Sequence, residues 1–392
     1  VLSLEAGKPI KDARIEVDRA INTFRISSEE ARRIEGEYIE LDSMPAGKDR
    51  FAIIKRFPIG PIAAISPFNF PLNLVAHKLG PAIATGNPIV LKPASKTPLS
   101  ALFLGSIILE TEWPKDALSI VPCSRETGDK LVTDPRFAML TFTGSPAVGW
   151  PMKERAGPKK KVVLELGGNA GVIIDRDANL DVAAQRVKAG GFGFAGQSCI
   201  SVQRVYVHKE IEKEFTEKLL KEIEKIKIGN PLEEDTDLGP MIDEKAAKRT
   251  EEWVKEALDK GGELLTGGKA KGRIFEPTVL RNVKREAKIC SEEAFAPVLV
   301  IETFTDFDEA LEKVNDSVYG LQAGVFTNSQ KNVWKAFEEL DVGGVIINDV
   351  PTFRVDQMPY GGIKESGVGR EGPRYAMEDM TEMKILVMRR DI

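Results

Sequence analysis

The feature that most constrains the fold of this chain is a regular alternation of short apolar segments with helical ones, which begins at Pro61. Short apolar strands that alternate with helices are typical of a parallel sheet covered by helices on both faces. In such sheets ligands bind at the carboxyl ends of the strands. The sequence therefore predicts an α/β fold and points to the strand ends as the place to look for a functional site.

The alternation runs through two blocks that meet at Gly167 and Gly168, a hinge-like joint. In the first block we predict strands over 62–66, 88–91, 118–121, 138–142 and 162–166, and helices over 72–85, 99–112, 126–132 and 146–156. In the second block we predict strands over 171–174, 202–207, 298–304, 324–327 and 345–348, and helices over 181–189, 210–227 and 310–315. The chain is thus expected to form two α/β units.

Three flanking segments complete the predicted fold. Residues 1–36 have helical periodicity, and 38–56 alternate like an antiparallel hairpin. A lone hairpin is marginally stable in water, so it should pack on another element. The strand-like tail over 383–389 could pair with it, and we predict a homodimer or homotetramer.

Composition excludes several classes of function. The net charge of −5 gives no argument for binding nucleic acid or a membrane surface. Three scattered cysteines fit a reducing, cytoplasmic compartment. The two histidines, His77 and His208, have no paired spacing, which disfavours a metal site or a Ser-His-Asp triad. High Lys and Glu content with little Gln is also typical of thermostable proteins.

Cys199 is the first candidate for chemistry, because it follows a glycine-rich run and precedes a predicted strand. A thiolate is the most nucleophilic side chain available near neutral pH, and glycines allow a ligand to approach the backbone closely. The alternative is a buried structural cysteine in a tight turn.

Two polar residues end predicted strands upstream. Asn69 lies between prolines in PFNFP, so its carboxamide is held rigidly and could donate to a developing oxyanion. Its alternative role is to cap the next helix. Glu165 ends an apolar strand, where burial should raise its pKa and suit a general base. Its alternative role is a strand-end salt bridge.

Three further motifs could bind a dinucleotide. Lys92 ends a strand within reach of a ribose or phosphate, and Ser95 and Lys96 occupy the turn where NAD-specific sites commonly carry a carboxylate. FTGS with Gly149 places a helix N-terminus after a strand, as pyrophosphate sites do. In EEAFAP a carboxylate could bind ribose and an aromatic ring could pack on a flat base. The alternative is a solvated loop for Lys92, Ser95 and Lys96, an ordinary turn for FTGS, and a charged helix end for EEAFAP.

The order of these motifs is more specific than any one of them. PFNFP, LKPAS, FTGS, LELGG, GQSC, EEAFAP and PYGGIKESGVGREG together resemble the aldehyde dehydrogenase superfamily over the whole chain. The resemblance is strongest to its branch acting on small aldehydes, such as the archaeal lactaldehyde dehydrogenases. It implies a Rossmann-like cofactor domain (1–36 and 59–167), an α/β catalytic domain (168–382) and oligomerisation strands (37–58 and 383–392).

The resemblance also implies roles for residues. Cys199 matches the nucleophile, Glu165 the base, and Asn69 with the Cys199 N–H the oxyanion hole. The cofactor positions that it implies are Ser66, Pro67, Phe68, Lys92, Ser95, Lys96, Gly128, Thr143, Gly144, Ser145, Val148, Leu166, Glu293 and Phe295, with no metal. Ser95 stands where NAD-preferring members often have Glu, which favours NADP while leaving NAD open.

The implied reaction is oxidation of a small aldehyde to its acid through a thioester on Cys199. Ser198 replaces the Arg that relatives acting on a phosphorylated aldehyde often carry, which favours an uncharged substrate. Glu165 argues against the first alternative, a CoA-acylating semialdehyde dehydrogenase. Family members usually begin with a further front segment, so the second alternative is an impaired, truncated scaffold that only binds cofactor.

Overall fold

The computed structural model describes residues 1–390. Its helices are α1 (Leu2–Ala6), α2 (Ile10–Ala31), α3 (Asn73–Thr85), α4 (Leu99–Leu109), α5 (Arg125–Thr133), α6 (Pro146–Ala156), α7 (Leu180–Phe192), α8 (Glu212–Ile223), α9 (Glu244–Asp259), α10 (Lys288–Ser291), α11 (Phe307–Asn315), α12 (Gln330–Glu339) and α13 (Pro373–Asp379). Its strands are β1 (Glu37–Glu40), β2 (Arg50–Pro58), β3 (Ile62–Ile65), β4 (Ile89–Lys92), β5 (Leu118–Ile120), β6 (Met139–Thr143), β7 (Lys161–Glu165), β8 (Ala170–Ile174), β9 (Val202–His208), β10 (Glu263–Thr266), β11 (Ala270–Lys271), β12 (Ile274–Phe275), β13 (Thr278–Arg281), β14 (Val298–Phe304), β15 (Tyr319–Gly320), β16 (Gln322–Phe326), β17 (Gly344–Ile347), β18 (Ile363–Lys364), β19 (Gly367–Val368) and β20 (Thr381–Arg389).

Five strands of the first block and β19 from later in the chain form a six-stranded sheet in the order β19-β7-β6-β3-β4-β5. Its strands run parallel except β19, which pairs antiparallel with β7. All four residues of the central strand β3 are buried. This pattern follows from the apolar, non-alternating sequence of the strands, which suits a sheet covered on both faces.

The second block forms a seven-stranded sheet in the order β10-β13-β14-β9-β8-β16-β17. Only its edge strand β10 runs antiparallel to its neighbour. The central strands β8 and β9 are buried at every position and contribute to the largest apolar core of the described residues. The predicted α/β fold with two parallel units is confirmed.

A third, three-stranded sheet has the order β1-β2-β20. β1 and β2 form the predicted hairpin, and β2 pairs antiparallel with the tail strand from Arg50 opposite Arg389 to Pro58 opposite Thr381. Both predictions are confirmed for the described residues. Positions 391 and 392 of the predicted 383–392 strand lie outside them.

The prediction of one helix over residues 1–36 is wrong. Gly7 ends α1 with a left-handed φ of 73°, and Pro9, which lacks an N–H, comes immediately before α2. The predicted helix over 210–227 is also shorter, at Glu212–Ile223. Helix α9, rich in Glu and Lys, is not among the predicted helices.

Candidate active site

Two cavities meet at Cys199, which lies in the loop between α7 and β9. The larger, of about 440 Å³, extends along the carboxyl ends of β3 and β6. The smaller, of about 210 Å³, reaches α2. Asn69 and Thr143 line both cavities together with Cys199. Cys199 is therefore placed where ligands in two different cavities could approach it.

A strained turn precedes Cys199. Phe194, Ala195 and Gly196 have consecutive left-handed φ angles of 49°, 53° and 66°. A Cβ on Gly196 would lie 2.1 Å from the Ala296 carbonyl oxygen, so only glycine fits there. Left-handed non-glycine residues cost about 1–3 kcal/mol each and persist where the surroundings impose them, often at functional sites. The packing of this turn thus fixes the backbone that presents Cys199.

The connection between β7 and β8 also touches this loop. A Cβ on Gly168 would lie 2.1 Å from the Cys199 carbonyl oxygen. The two backbones can approach each other this closely only because residue 168 has no side chain. The LELGG motif therefore contains two important residues. One is Glu165, and the other is Gly168, which must be glycine for the two backbones to pack together.

Cys199 and Asn69 have specific neighbours. The Cys199 Sγ lies 2.9 Å from the Tyr360 Oη. Burial raises the pKa of the thiol to about 12, although the Tyr360 hydroxyl acts in the opposite direction. The Asn69 Nδ2 donates to the Gln197 carbonyl oxygen at 3.0 Å. This bond ties the Asn69 carboxamide to the backbone two residues before Cys199. The Cys199 N–H has no hydrogen-bond acceptor among residues 1–390.

Glu165 is buried, with 3% of its surface exposed. Neither of its carboxyl oxygens has a hydrogen-bond partner within the described part of the chain. Burial, and then the negative charge of Glu371, raises the pKa of Glu165 well above its usual range. A buried carboxyl group without donors is suited to take a proton from water, which is the requirement for a general base.

Glu371 lies behind Glu165 in a buried ionic cluster. It pairs with Lys78 at 3.4 Å and with the Arg354 Nη2 at 2.9 Å. Burial alone would raise the pKa of Glu371, but Lys78 and Arg354 hold it down at about 2. The cluster therefore keeps one carboxylate ionised while its neighbour Glu165 is driven toward the protonated form.

The larger cavity gathers most of the predicted cofactor positions. Its wall includes Ser66, Pro67, Phe68, Thr143, Gly144, Ser145, Leu166, Glu293 and Phe295. Glu293 accepts a bond from the Gly168 N–H at 2.9 Å, and burial raises its pKa to about 7. The Phe68 and Phe295 rings meet edge to face at 5.7 Å.

This wall fits a nucleotide cofactor. The Ser66 Oγ is buried without a partner among the described residues, so a polar ligand group would satisfy it. Ser145 precedes α6 and its hydroxyl makes no capping bond, which leaves the helix N-terminus open to an anion. Apolar walls with a few convergent polar atoms are typical of cofactor sites.

The remaining predicted cofactor positions lie outside this wall. Lys92 is buried against Gly128, and its Nζ donates to the Pro93 carbonyl oxygen at 3.1 Å. Ser95 is exposed, and Lys96 forms an ion pair with Asp243. Val148 packs within α6 against an apolar core cluster. Lys92 and Gly128 therefore lie next to each other, but neither lines the larger cavity.

Sequence reasoning missed two arginines in the smaller cavity, Arg19 and Arg354. The Nε atom of each is buried without a partner among residues 1–390. The two lie 335 positions apart in sequence, as Arg19 on α2 and Arg354 in the loop between β17 and β18. No local pattern could have joined them.

Comparison with known proteins identifies the family. The sequence model of the aldehyde dehydrogenase family matches residues 1–386. The chain belongs to the aldehyde dehydrogenase family. It is 49% identical to a 3-sulfolactaldehyde dehydrogenase of Priestia aryabhattai over 99% of this chain and 81% of that protein. It is 43% identical to a lactaldehyde dehydrogenase of Methanococcus vannielii over 99% of this chain and 83% of that protein.

Solved aldehyde dehydrogenase structures share the fold. ALDH21 of Physcomitrella patens, solved with its reaction product succinate, is 55% identical, with a TM-score of 0.97 over 100% of this chain and 81% of that one. GapN of Methanocaldococcus jannaschii, complexed with NADP, is 42% identical, with a TM-score of 0.94 over 99% of this chain and 84% of that one. The predicted aldehyde dehydrogenase fold and family are confirmed.

The described residues contain neither a candidate membrane-spanning helix nor a candidate metal cluster. No helix within residues 1–390 is both long and apolar enough to cross a membrane. No cluster of three or more His, Cys, Asp or Glu side chains in the same part of the chain is arranged to hold a metal ion.

Proposed function

We propose that this protein oxidises a small aldehyde bearing an acid group at its far end to the corresponding carboxylic acid, with NADP as the hydride acceptor. The observation that carries this proposal is the position of Cys199 between a cavity suited to a cofactor and a smaller cavity with two arginines.

The residues around Cys199 have complementary roles in this reaction. The Cys199 thiolate adds to the aldehyde carbon, and the Asn69 amide and the Cys199 N–H donate to the oxygen that becomes negative. One such donor is worth about 3 kcal/mol, or on the order of a hundredfold or more in rate. The larger cavity, lined by Ser66, Ser145 and Glu293, would hold the nicotinamide cofactor, which would accept the hydride from the substrate carbon. Glu165 then takes a proton from the water that hydrolyses the thioester, and Cys199 is released.

The smaller cavity favours a substrate with a negative end. Glu371, the partner of Arg354, is shared with Lys78, and Asp356, the partner of Arg19, is shared with His77. The Nε of each guanidinium has no partner within residues 1–390 and is therefore a donor left for another anion, and arginine recognises carboxylates and similar anions through paired donors. These two arginines replace the expectation of an uncharged aldehyde, which rested on Ser198 alone.

Three relatives support the same substrate class, whereas the Methanococcus vannielii relative is named for lactaldehyde, which has no acid group. One is named for 3-sulfolactaldehyde, another for aspartate semialdehyde, and ALDH21 was solved with succinate as its product. All three compounds bear an acid group remote from the reacting carbon. We extend this shared chemistry to the present chain as part of the proposal.

The preference for NADP rests on Ser95 and Lys96. Neither position carries the carboxylate that would repel a 2′-phosphate. Lys96 is half-exposed and paired with Asp243, so it is accessible to a phosphate. The NADP complex of GapN points in the same direction. Use of NAD remains compatible with the same cavity.

The predicted domain roles are part of the proposal. Residues 1–36 and 59–167 would bind the cofactor, and 168–382 would supply Cys199, although β19 from the latter range extends the first sheet. Residues 37–58 and 383–392 would join subunits into a homodimer or homotetramer. Exposed apolar side chains along β20, among them Met383 at 65% and Ile385 at 55%, support this role. We also propose a cytoplasmic location, from the scattered cysteines.

The substrate class is tested with matched aldehydes. We expect kcat/KM for a four-carbon aldehyde acid to exceed that of its neutral amide at least tenfold, because a hydrogen bond to a charged group is worth about 1.5–3 kcal/mol. Arg354→Met should abolish most of this difference, whereas Arg281→Met, which alters an ion pair on β13, should preserve it. Equal kcat/KM values for the two aldehydes would contradict the acid-group proposal, and higher kcat/KM with NAD than with NADP would contradict the cofactor preference.

A further inference from the structure

The mechanism above leaves one group beside the nucleophile without a role, the hydroxyl of Tyr360. This residue is 3% exposed, and its Oη lies 2.9 Å from the Cys199 Sγ. Within residues 1–390 the sulfur is the only hydrogen-bond partner of this hydroxyl. A buried phenol whose single partner is a reactive sulfur calls for a functional explanation, because buried hydroxyls otherwise pair with backbone or water.

The surroundings of the sulfur make this contact more important. Cysteine nucleophiles are commonly activated by an adjacent Lys, Arg or His, or by a helix N-terminus. In the described chain no Lys, Arg or His side chain bonds to the Cys199 Sγ. His77 bonds to Asp356, and His208 to the Thr305 carbonyl oxygen. The Tyr360 hydroxyl is therefore the direct side-chain donor available to a thiolate at this position.

Arg354 strengthens Tyr360 as a donor. Its guanidinium carbon lies 3.6 Å from the centre of the Tyr360 ring, and its charge is held there by Glu371 at 2.9 Å. A cation over the ring draws electron density from the phenol oxygen, which makes the O–H a better donor. Burial raises the pKa of Tyr360 well above its usual range, so the phenol keeps its proton while it donates.

We propose that Tyr360 is a further catalytic residue, whose hydroxyl donates a hydrogen bond to the Cys199 thiolate and stabilises it before the aldehyde is attacked. The inference rests on the nucleophilic role proposed for Cys199. No proton is transferred to or from Tyr360. The thiol proton leaves to water, and the hydrogen bond lowers the free energy of the anion that remains.

This role has a kinetic signature that a structural role lacks. Removing the hydroxyl should raise the thiol pKa by about one unit. At a pH well below the pKa of the parent thiol, this reduces the thiolate fraction about tenfold. The remaining thiolate becomes about threefold more nucleophilic, because nucleophilicity rises with pKa with a Brønsted slope of about 0.4–0.5. Alkylation below the pKa should therefore slow by about threefold.

The test measures Cys199 directly, without aldehyde or cofactor. Tyr360→Phe keeps the ring under Arg354 and removes only the hydroxyl. The rate of iodoacetamide labelling at Cys199 is followed against pH below the thiol pKa, with the labelled site identified by mass spectrometry, and the displacement of this rate profile reports the change in the titration of the thiol. Tyr206→Phe is the control, since this buried phenol bonds to the Lys313 carbonyl oxygen instead. We expect the displaced titration only in the Tyr360 variant.

A titration of Cys199 in Tyr360→Phe that coincides with the parent protein, or that moves to lower pH, would overturn the proposal. If this variant folds poorly, a ring-fluorinated tyrosine placed at position 360 gives the opposite test. Its more acidic hydroxyl should lower the thiol pKa, and an unchanged pKa would again overturn the inference. Because neither measurement uses an aldehyde, failure of the proposed substrate class would not affect them.

Discussion

Replacing Glu165 with Gln separates the two halves of the proposed reaction. The amide fills the same buried space, where 3% of the residue surface is exposed, but it cannot accept a proton from water. Attack by Cys199 should proceed, because the described contact of its sulfur is with Tyr360 and not with Glu165. Hydrolysis of the thioester should slow by the usual contribution of a general base, about 10²–10⁴-fold.

The assay is stopped-flow absorbance of reduced cofactor. Glu165→Gln should give a burst of one equivalent per subunit, followed by the slowed steady rate. The parent protein should show a steady rate that rises with pH, because only ionised Glu165 is a base and burial raises its pKa. This pH dependence should disappear in the variant. Glu302→Gln on β14, outside both cavities, is the control and should keep the parent behaviour.

Two outcomes would refute this reasoning. Unchanged steady turnover in Glu165→Gln would show that another group activates the water. A variant that binds cofactor but gives no burst would show that Glu165 acts before or during hydride transfer instead. The magnitude of the burst matters as much as its presence, since less than one equivalent from fully folded protein would place the slow step earlier.

The remaining predictions concern stability and packing. The folded-state pKa of Glu165 is raised, so its contribution to stability is present below the unfolded-state pKa and is lost as pH rises through the folded-state value. Glu165→Gln should therefore gain stability over the parent protein as pH rises, and an unfolding free-energy difference independent of pH would contradict this. Gly168→Ala places a Cβ against the Cys199 carbonyl; we expect about 1–3 kcal/mol of destabilisation and reduced kcat. Gly193→Ala meets no atom within 4 Å and should keep its melting temperature.

The fold was largely predictable because its main signal is local. Strands such as β3 and β9 are apolar at consecutive positions, and this pattern survives in the sequence without any knowledge of their partners. Gly7 and Pro9 also indicate the break between α1 and α2, but the helical periodicity of residues 1–36 favours a continuous helix. Helix α9 was not predicted for a different reason. It is a charged, amphipathic surface helix, and its few apolar residues do not form the continuous apolar segment that marks a buried strand.

Two residues of the candidate site were predictable from their place at strand ends, and Cys199 from the glycine-rich run before it. Asn69 follows β3 and Glu165 ends β7, and parallel strands bring their ends to one edge. The sequence did not predict the direction in which side chains point. Lys92 is an example, because its ammonium group donates to the Pro93 carbonyl oxygen. Tyr360 and Arg354 reach Cys199 only through tertiary packing of segments more than 150 positions away.

The most direct test of the account is the covalent state of Cys199. Glu165→Gln is mixed with a four-carbon aldehyde acid and NADP, and quenched after the burst for intact-protein and peptide mass spectrometry. We predict a mass increase equal to the acyl group, located on the peptide containing Cys199 and absent in Cys199→Ala. Reduced cofactor formed without any adduct on Cys199, or with an adduct on another residue, would contradict the central claim.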